Sequence, residues 1–578
     1  MTTFLPPYHG PHDGPDEFTP WPEALARRYR EAGYWQGEPF GAWLSGLARR
    51  YADRPALLGP DGPVTYRELD RRATVQAAAL AERGLRPGDR VTLHLPNTPA
   101  FFEVLLGLLR LGVRPILALP AHREHELGYF CAHAGAAALV TAADPERLAL
   151  AARVQASLDR PLPVIALGER PGTWEGEAVS FLPFAATAPT PDFTPPRVDA
   201  GGVALYQLSG GSTGTPKLIG RTHDDYLYSI RASADLCELG ADTVYLAALP
   251  LAHNFPLTSP GTLGALHAGG QIVVAPDAAP GTAFPLIAAH GVTHTALVPA
   301  LLQVWLRALE GGPHTPFPSL RCVQVGGAPL SPDVARQVRP RLGAALQQVF
   351  GMAEGLVNYV RPGAPDDETL GTQGRPISPH DEVRIVDDHD RPVPDGTPGH
   401  LLTRGPYTIR GYFRAPDHNA RAFTPDGFYR TGDLVTRTPG GALVVTGRHK
   451  DQINRAGEKI AAEEIEHALL RHPLVQAAAV VGTPDPWLGE RSVAFVQVAP
   501  LQAAPMQTAP GAPDLALTLK RHLRDLGLAT FKIPDRIEPL PALPRTPLGK
   551  TDKPALRALA AQSAAQPTPP TPTSRSRP

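Results

Sequence analysis

The nine residues Ser209-Gly-Gly-Ser-Thr-Gly-Thr-Pro-Lys217 follow directly on a strand-like run, Val203 to Leu208. Gly210, Gly211 and Gly214 free the backbone to curl, so that successive N–H groups can converge on one anion. Ser209, Ser212, Thr213 and Lys217 add side-chain donors, and the whole reads as a cradle for phosphate oxygens. It is not the loop GxxxxGK[ST], because Pro216 precedes the lysine and Leu218 follows it. A plain Gly/Ser turn would share the composition but would not need a lysine, and lysine is scarce here: seven of 55 basic residues, none before Lys217. Arginine is a broad planar fork and lysine a compact charge on a slim stem. The seven (Lys217, Lys450, Lys459, Lys520, Lys532, Lys550 and Lys553) therefore mark places where a narrow cation is wanted, with chance retention the simpler account of Lys520 and Lys553.

Helices and strands alternate on both sides of this loop. Thr65 and Glu68 read as a capping-box pair opening a helix that ends at Gly84. Val91–Leu95 reads as a strand, Phe101–Leu111 as a helix with Gly112 just past its end, and short apolar runs follow at Pro115–Leu119, Ala137–Thr141 and Val164–Leu167. This rhythm predicts α/β layers with largely parallel strands. The Pro/Thr-rich stretch from Ala185 to Pro196 reads as a surface connection.

Beyond Phe428 short β-like runs take over, and near Gly447 the texture changes again. Glu463 and Glu464 open a helix with Ile465, Ala468 and Leu469 on one face, stopped by Pro473; strand-like runs at Val475–Val481 and Ser492–Val498 follow. The sequence thus predicts a large N-terminal domain over residues 1–447 and a small α+β domain over residues 451–560. Ala499 to Asp514 reads as an exposed Pro/Ala-rich loop, and residues 561–578 as a disordered tail lacking apolar content.

Composition narrows the class. Of 578 residues, 43% are apolar, enough for a large core, and 55 basic against 56 acidic residues create no global field for nucleic acid or an anionic membrane. The three cysteines, Cys131, Cys237 and Cys322, form no CxxC pair, which argues against a disulfide scaffold or a cysteine-rich zinc module and fits a reducing cytosol. The opening MTTFLPPYHGPHDG lacks the basic start and apolar run of a secretory signal. The most apolar segment, Phe101 to Pro120, is interrupted by Glu103, Arg110 and Arg114, against a membrane span. The expectation is a soluble cytoplasmic protein.

Read with several further segments, the glycine loop resembles the signature of the adenylate-forming superfamily of acyl-CoA synthetases, peptide-synthetase adenylation domains and luciferases, from about Phe18 to Leu559. The resemblance implies that ATP activates a carboxylate to an acyl-adenylate and that the acyl group then passes to a thiol. It also implies an α/β fold: a large N-terminal domain of β-sheets flanked by helices, and a small mobile C-terminal domain. Val325-Gly-Gly-Ala-Pro329 implies an adenine wall at Gly327 and Ala328. Phe350-Gly-Met-Ala-Glu354 implies an aromatic face for the base, with Gly351 and Met352 beside the nucleotide and Glu354 as a magnesium ligand. Tyr429-Arg-Thr-Gly-Asp433 places Asp433 on the ribose hydroxyls, since an ionised carboxylate only accepts. Gly447-Arg-His-Lys-Asp-Gln-Ile453 resembles the hinge between the domains, which implies that Arg448 contacts the nucleotide and Lys450 is the pivot. Gly457 matches the glycine that lines the path of the pantetheine arm, and Pro547-Leu-Gly-Lys550 resembles the motif that carries the catalytic lysine.

Within the superfamily, Leu249-Pro-Leu-Ala-His-Asn-Phe-Pro-Leu-Thr-Ser-Pro-Gly261 resembles the aryl-acid ligases that begin catecholate and phenolate siderophore assembly. Phe18-Thr-Pro-Trp-Pro22, Leu119-Pro-Ala-His122, Phe350 to Tyr359 and Leu402-Thr-Arg-Gly-Pro-Tyr407 share the likeness. This implies an aryl acid, ATP and Mg2+ in the site and, as acceptor, an aryl carrier protein bearing phosphopantetheine. His253 would lie beside the substrate carboxylate, Asn254 would bond the 2-hydroxyl and Ser259 would face the 3-hydroxyl. Phe255, Gly327, Ala328, Val349 and Val357 would line a pocket for a flat ring. Serine at 259, where salicylate-activating relatives tend toward a less polar residue, favours 2,3-dihydroxybenzoate over salicylate. Phe255, where close relatives often carry tyrosine, takes a hydroxyl from the pocket edge. A salicylate ligase, and an aryl-CoA ligase using free coenzyme A, are the alternatives. A non-catalytic nucleotide binder is disfavoured by the presence of Lys550, Glu354, Asp433 and the glycine loop.

Overall fold

The computed structural model describes residues 17–59, 62–172, 179–184, 192–209, 216–310, 317–328, 330–448, 452–498, 514–544 and 551–564. Gly210, Gly211, Ser212, Thr213, Gly214, Lys450 and Lys550 lie outside the described residues, as do residues 499–513 of the insertion and 565–578 of the tail. The chain divides into two compact units that part between Lys450 and Asp451.

The first unit is built on two large sheets. In the nine-stranded one, Pro55–Gly59, Gln271–Val274, Val244–Ala247, His294–Leu297, Cys322–Gly326 and Ala345–Met352 run parallel. In the seven-stranded one the parallel strands are Val179–Leu182, Val164–Leu167, Ala138–Ala142, Arg90–His94, Arg114–Leu117 and Val203–Leu208. The expected parallel order thus holds inside each sheet, but antiparallel partners close the ends. Leu218–Thr222 pairs back onto Val203–Leu208, and Gly355–Tyr359 onto Ala345–Met352. Both hairpins carry motif residues at their turns. The glycine loop therefore joins two strands, whereas in the GxxxxGK[ST] loop it would lead from a strand into a helix. A third, four-stranded antiparallel sheet comprises Glu382–Val386, Gly399–Arg404, Tyr429–Arg437 and Leu443–Arg448.

Helices Tyr66–Glu82 and Pro99–Leu111 pack on each other, and Pro99–Leu111 touches both Pro55–Gly59 of one sheet and Arg114–Leu117 of the other. One hydrophobic core accordingly holds Leu57 and Tyr245 of the first sheet together with Val91 and Val140 of the second. This explains why residues 101–111 are all buried: the segment is apolar all round because it is covered on all sides. Its charges are paired inside, Glu103 with Arg72 at 2.9 Å and Arg110 with Asp70. A Cβ on Gly107 would sit 2.8 Å from Gln76 Cβ, so glycine is what lets the two helices close.

The expected capping box forms only by half. Thr65 Oγ1 accepts from the Glu68 N–H at 3.2 Å, but the Glu68 carboxylate bonds Arg71 Nε and Arg72 Nε, each at 2.7 Å. Two charge-assisted bonds outweigh one to a backbone N–H, and the bond from Arg71 above all, with that from Arg72, holds the carboxyl down at about 2. No helix among the described residues is long and apolar enough to cross a membrane, and the three cysteines are free.

The second unit has a mixed sheet: hairpin Gln452–Arg455/Glu458–Ala461, the long hairpin Val475–Asp485/Gly489–Val498, and Arg536–Leu540 added in parallel. Helices Ala462–Leu470, Leu515–Asp525 and Lys553–Ala564 accompany it, the last reaching into the stretch read as a tail. Three lysines have structural roles here. Lys532, 3% exposed, pairs with Glu464 at 2.7 Å, Lys553 with Glu466 at 2.9 Å, and Lys520 donates to the Asp535 carbonyl at 2.8 Å. Chance retention is therefore not needed for Lys520 or Lys553.

Candidate active site

His253 caps the short helix Asn254–Thr258, its Nδ1 accepting from the Phe255 N–H at 3.2 Å. An accepting Nδ1 puts the neutral ring's proton on Nε2, where it can meet a carboxylate. The loop before it is held by Asn97, which donates to the Leu249 carbonyl and accepts from the Leu251 N–H, both at 2.9 Å. Asn254 is buried, and its Oδ1 accepts from Tyr226 at 2.8 Å and Thr258 at 3.3 Å. Tyr226 in turn accepts from Gln207 Nε2 at 2.9 Å. The chain Gln207–Tyr226–Asn254 commits the amide oxygen, so the amide N–H2 is the end available to another group. Burial pushes the Tyr226 phenol up to about 12, which keeps it a donor.

Phe255, Val349 and Val357 come together. A Cβ on Gly326 would lie 3.2 Å from the Phe255 ring and 2.7 Å from the Val349 carbonyl, so glycine at 326 makes room for both. Gly327 follows with φ of 85°, a backbone region that favours glycine, and is exposed, with Ala328 half-buried beside it. Val349 and Val357 lie on facing strands, and the Val357 N–H donates to the Tyr407 phenol at 3.1 Å. Tyr407 donates to buried Asp381 at 2.6 Å, and burial pushes that carboxyl up to about 7. Ser259 is buried at the end of the helix, just beyond Thr258.

On the other side, Ser209 closes the base of the glycine loop: its N–H donates to the Lys217 carbonyl and its Oγ accepts the Lys217 N–H, both at 2.9 Å. Phe350 is half-buried and Gly351 exposed, while Met352 is buried at the end of the strand. Glu354 stands in the two-residue turn of this hairpin, yet it is 6% exposed. Burying a carboxylate requires partners. Glu354 accepts from Tyr412 at 2.8 Å, and Tyr412 shares a second 2.8 Å hydrogen bond with Tyr429, the first residue of the Asp433 strand. Burial and the Glu354 charge push the Tyr412 phenol well up. Asp433, buried, pairs in register with Arg448, of which only the backbone is described. Among the described residues no cluster of three His, Cys, Asp or Glu could hold a metal. A lone carboxylate suits Mg2+, which keeps waters and substrate phosphates as most of its ligands.

Arg221 joins the two sides. It is 1% exposed, pairs with Asp225 at 2.7 Å, lies 4.7 Å over the Tyr226 ring, and donates to the Ala353 carbonyl at 2.9 Å and the Tyr407 carbonyl at 3.2 Å. Sequence reading overlooked Arg221, Tyr226, Tyr407 and Tyr412. The one available signal was the run Arg221-Thr-His-Asp-Asp-Tyr226, polar where a buried element should be apolar.

In the second unit, Gly457 (φ 90°) and Ala456 (φ 52°) form the two-residue turn between Arg455 and Glu458. Positive φ at both positions is the hairpin geometry that matches strand twist, so glycine here has a local reason as well as the expected one.

Comparison with known proteins agrees with this architecture. The AMP-binding enzyme family matches residues 45–413, and the AMP-binding enzyme C-terminal domain matches residues 464–550. The chain belongs to the AMP-binding enzyme family. It is 50% identical to the 2,3-dihydroxybenzoate-AMP ligase of Bacillus subtilis, over 93% of this chain and 97% of that protein. It is 48% identical to the salicyl-AMP ligase / salicyl-S-ArCP synthetase of Mycobacterium tuberculosis, over 94% and 95%. Among solved structures, apo MbtA of Mycobacterium smegmatis matches with a TM-score of 0.68 at 45% identity, covering 94% of this chain and 98% of that one.

Proposed function

We propose that this enzyme activates 2,3-dihydroxybenzoate with ATP and passes the acyl group to the phosphopantetheine thiol of an aryl carrier protein, in the cytoplasm, at the start of siderophore assembly. The observation that carries this reading is the chain Gln207–Tyr226–Asn254, which reserves the Asn254 N–H2 for an acceptor such as an ortho phenol oxygen. His253 Nε2–H serves the carboxylate, and Phe255, Val349 and Val357 supply small apolar walls for the ring. The likeness to both dihydroxybenzoate and salicylate ligases supports the same substrate class.

A carboxylate oxygen of the acid attacks the α-phosphorus of ATP, the bond to the β-phosphate breaks, and pyrophosphate leaves with the electron pair. Both reactants are anions, so the rate comes from alignment and charge stabilisation. The glycine loop and Lys217 hold the departing pyrophosphate, Phe350, Gly327 and Ala328 the base, and Asp433 and Arg448 the ribose side. Glu354 would hold Mg2+, which offsets phosphate charge when bound. Lys550 reaches between carboxylate and α-phosphate, where a forked arginine fits poorly. The thiolate then attacks the acyl carbon and AMP leaves, after rotation about Lys450 withdraws Lys550 and brings the Gly457 turn forward.

The test is pyrophosphate exchange. 2,3-Dihydroxybenzoate should drive it better than salicylate, and Lys550→Ala should nearly abolish it while ATP still binds; near-normal exchange in that variant would reject the assignment. Loading of a carrier protein in preference to free coenzyme A separates this reading from an aryl-CoA ligase.

A further inference from the structure

Tyr359 sits opposite Val349 in the hairpin, and Gly351 and Val357 form the pair two residues on; directly paired residues share a face and alternate pairs return to it, so Tyr359 belongs to the same wall as the two valines. Its phenol faces the hydroxyls of Ser233, on helix His223–Leu236, and of Ser259. Yet neither Tyr359 Oη nor Ser233 Oγ closes a well-aligned hydrogen bond, although both are sealed from solvent. Tyr245 Oη and Gln324 Oε1, from the same sheet, are also buried without partners. Buried polar atoms are nearly always satisfied, so the open Tyr359 phenol, with Ser233 and Ser259 as its neighbours, marks a place where a further partner completes the bonding.

We propose that Tyr359, supported by Ser233, is the positioning residue that makes the pocket read a second ring hydroxyl. This rests on the aryl-acid reading above. With the acid bound, the Tyr359 O–H closes onto Ser259 Oγ and turns the Ser259 proton toward the substrate's 3-oxygen. Burial keeps the phenol protonated, so it stays a donor throughout the working range. An acid with only hydrogen at that ring position leaves the Ser259 proton without an acceptor, and the row of hydroxyls stays unsatisfied. Specificity then belongs to the pair Tyr359–Ser259 and not to Ser259 alone.

The experiment compares 2,3-dihydroxybenzoate with salicylate in pyrophosphate exchange for the full-length protein, Tyr359→Phe, Ser259→Ala and the double variant. Tyr359→Phe should lower the kcat/KM ratio of the two acids about tenfold, chiefly through the KM for 2,3-dihydroxybenzoate, with salicylate reporting any general packing change. The double variant should lose little more than either single one, as members of one relay do. An equal fall for both acids, leaving the ratio within about twofold, overturns the proposal. If Tyr359→Phe fails to fold, Ser233→Ala decides: a shift of about threefold in the same direction supports the relay, and an unchanged ratio overturns it. Wild-type protein that exchanges with neither acid would instead overturn the aryl-acid reading itself.

Discussion

Arg221 donates to the carbonyl of Ala353 at 2.9 Å, so the residue just before Glu354 is held by a side chain from the strand that leaves the glycine loop. The same guanidinium pairs with Asp225, which has no exposed surface at all. Arg221→Ala would leave that carboxylate buried and unpaired, at a cost of about 3–5 kcal/mol. Chemical denaturation should show a loss of that size. Arg221→Lys should recover part of it, because a lysine can meet Asp225 but cannot also span two carbonyls.

Tyr226→Phe removes the shorter of the two hydrogen bonds that commit Asn254 Oδ1 and leaves only the 3.3 Å one from Thr258. The amide can then turn over, and the acid should bind about fivefold more weakly, consistent with roughly 1 kcal/mol for a neutral hydrogen bond. Exchange kinetics should show this mainly in the KM for the acid, with the KM for ATP nearly constant.

Tyr412→Phe strips Glu354 of its one side-chain donor among the described residues. A carboxylate without that donor is less firmly aimed, and loss of a hydrogen bond that orients a metal ligand typically costs about 10–100-fold in metal affinity. The Mg2+ concentration for half-maximal exchange should rise accordingly. A Mg2+ titration in which the variant follows the wild type would argue against Glu354 as the ligand.

Asp381 gives a dependence on pH with a definite sign. Burial pushes its carboxyl up to about 7, against the smaller opposing effects of Tyr407 and the Ser378 N–H. The folded protein therefore binds this proton more tightly than the unfolded chain does. Its contribution to stability is present below the ordinary aspartate range and is lost as pH rises to about 7, by roughly 4 kcal/mol in all. Asp381→Asn can still accept from Tyr407 but carries no charge. The stability difference, variant minus wild type, should grow from about pH 5 to about pH 8 when measured by urea denaturation.

Much of the architecture was legible because local rules and tertiary demands coincided. Gly112 ends its helix with φ of 75°, as its position after Leu111 indicated, and residues 101–111 are apolar because two sheets cover them. The capping pair at Thr65 was half right, because Glu68 had two arginines within reach that no spacing rule weighs. The tyrosines were harder to read: a buried phenol counts as core in any hydropathy pattern, and Tyr226, Tyr359, Tyr407 and Tyr412 take on polar roles only through partners 17 or more positions away.

The motifs by themselves determined the class of chemistry, since a strand-flanked glycine loop, an aspartate in Tyr429–Asp433 and a late lysine are local patterns that the sequence carries whatever the tertiary fold. Only the tertiary structure decided how those patterns act together. Arg221 ties the Glu354 turn to Tyr226, the partner of Asn254, and Tyr412 ties Glu354 to the Asp433 strand. The reason is physical: a hydrogen bond is set by distance and direction in space, and residues far apart along the chain acquire both only when the sheets have closed around them.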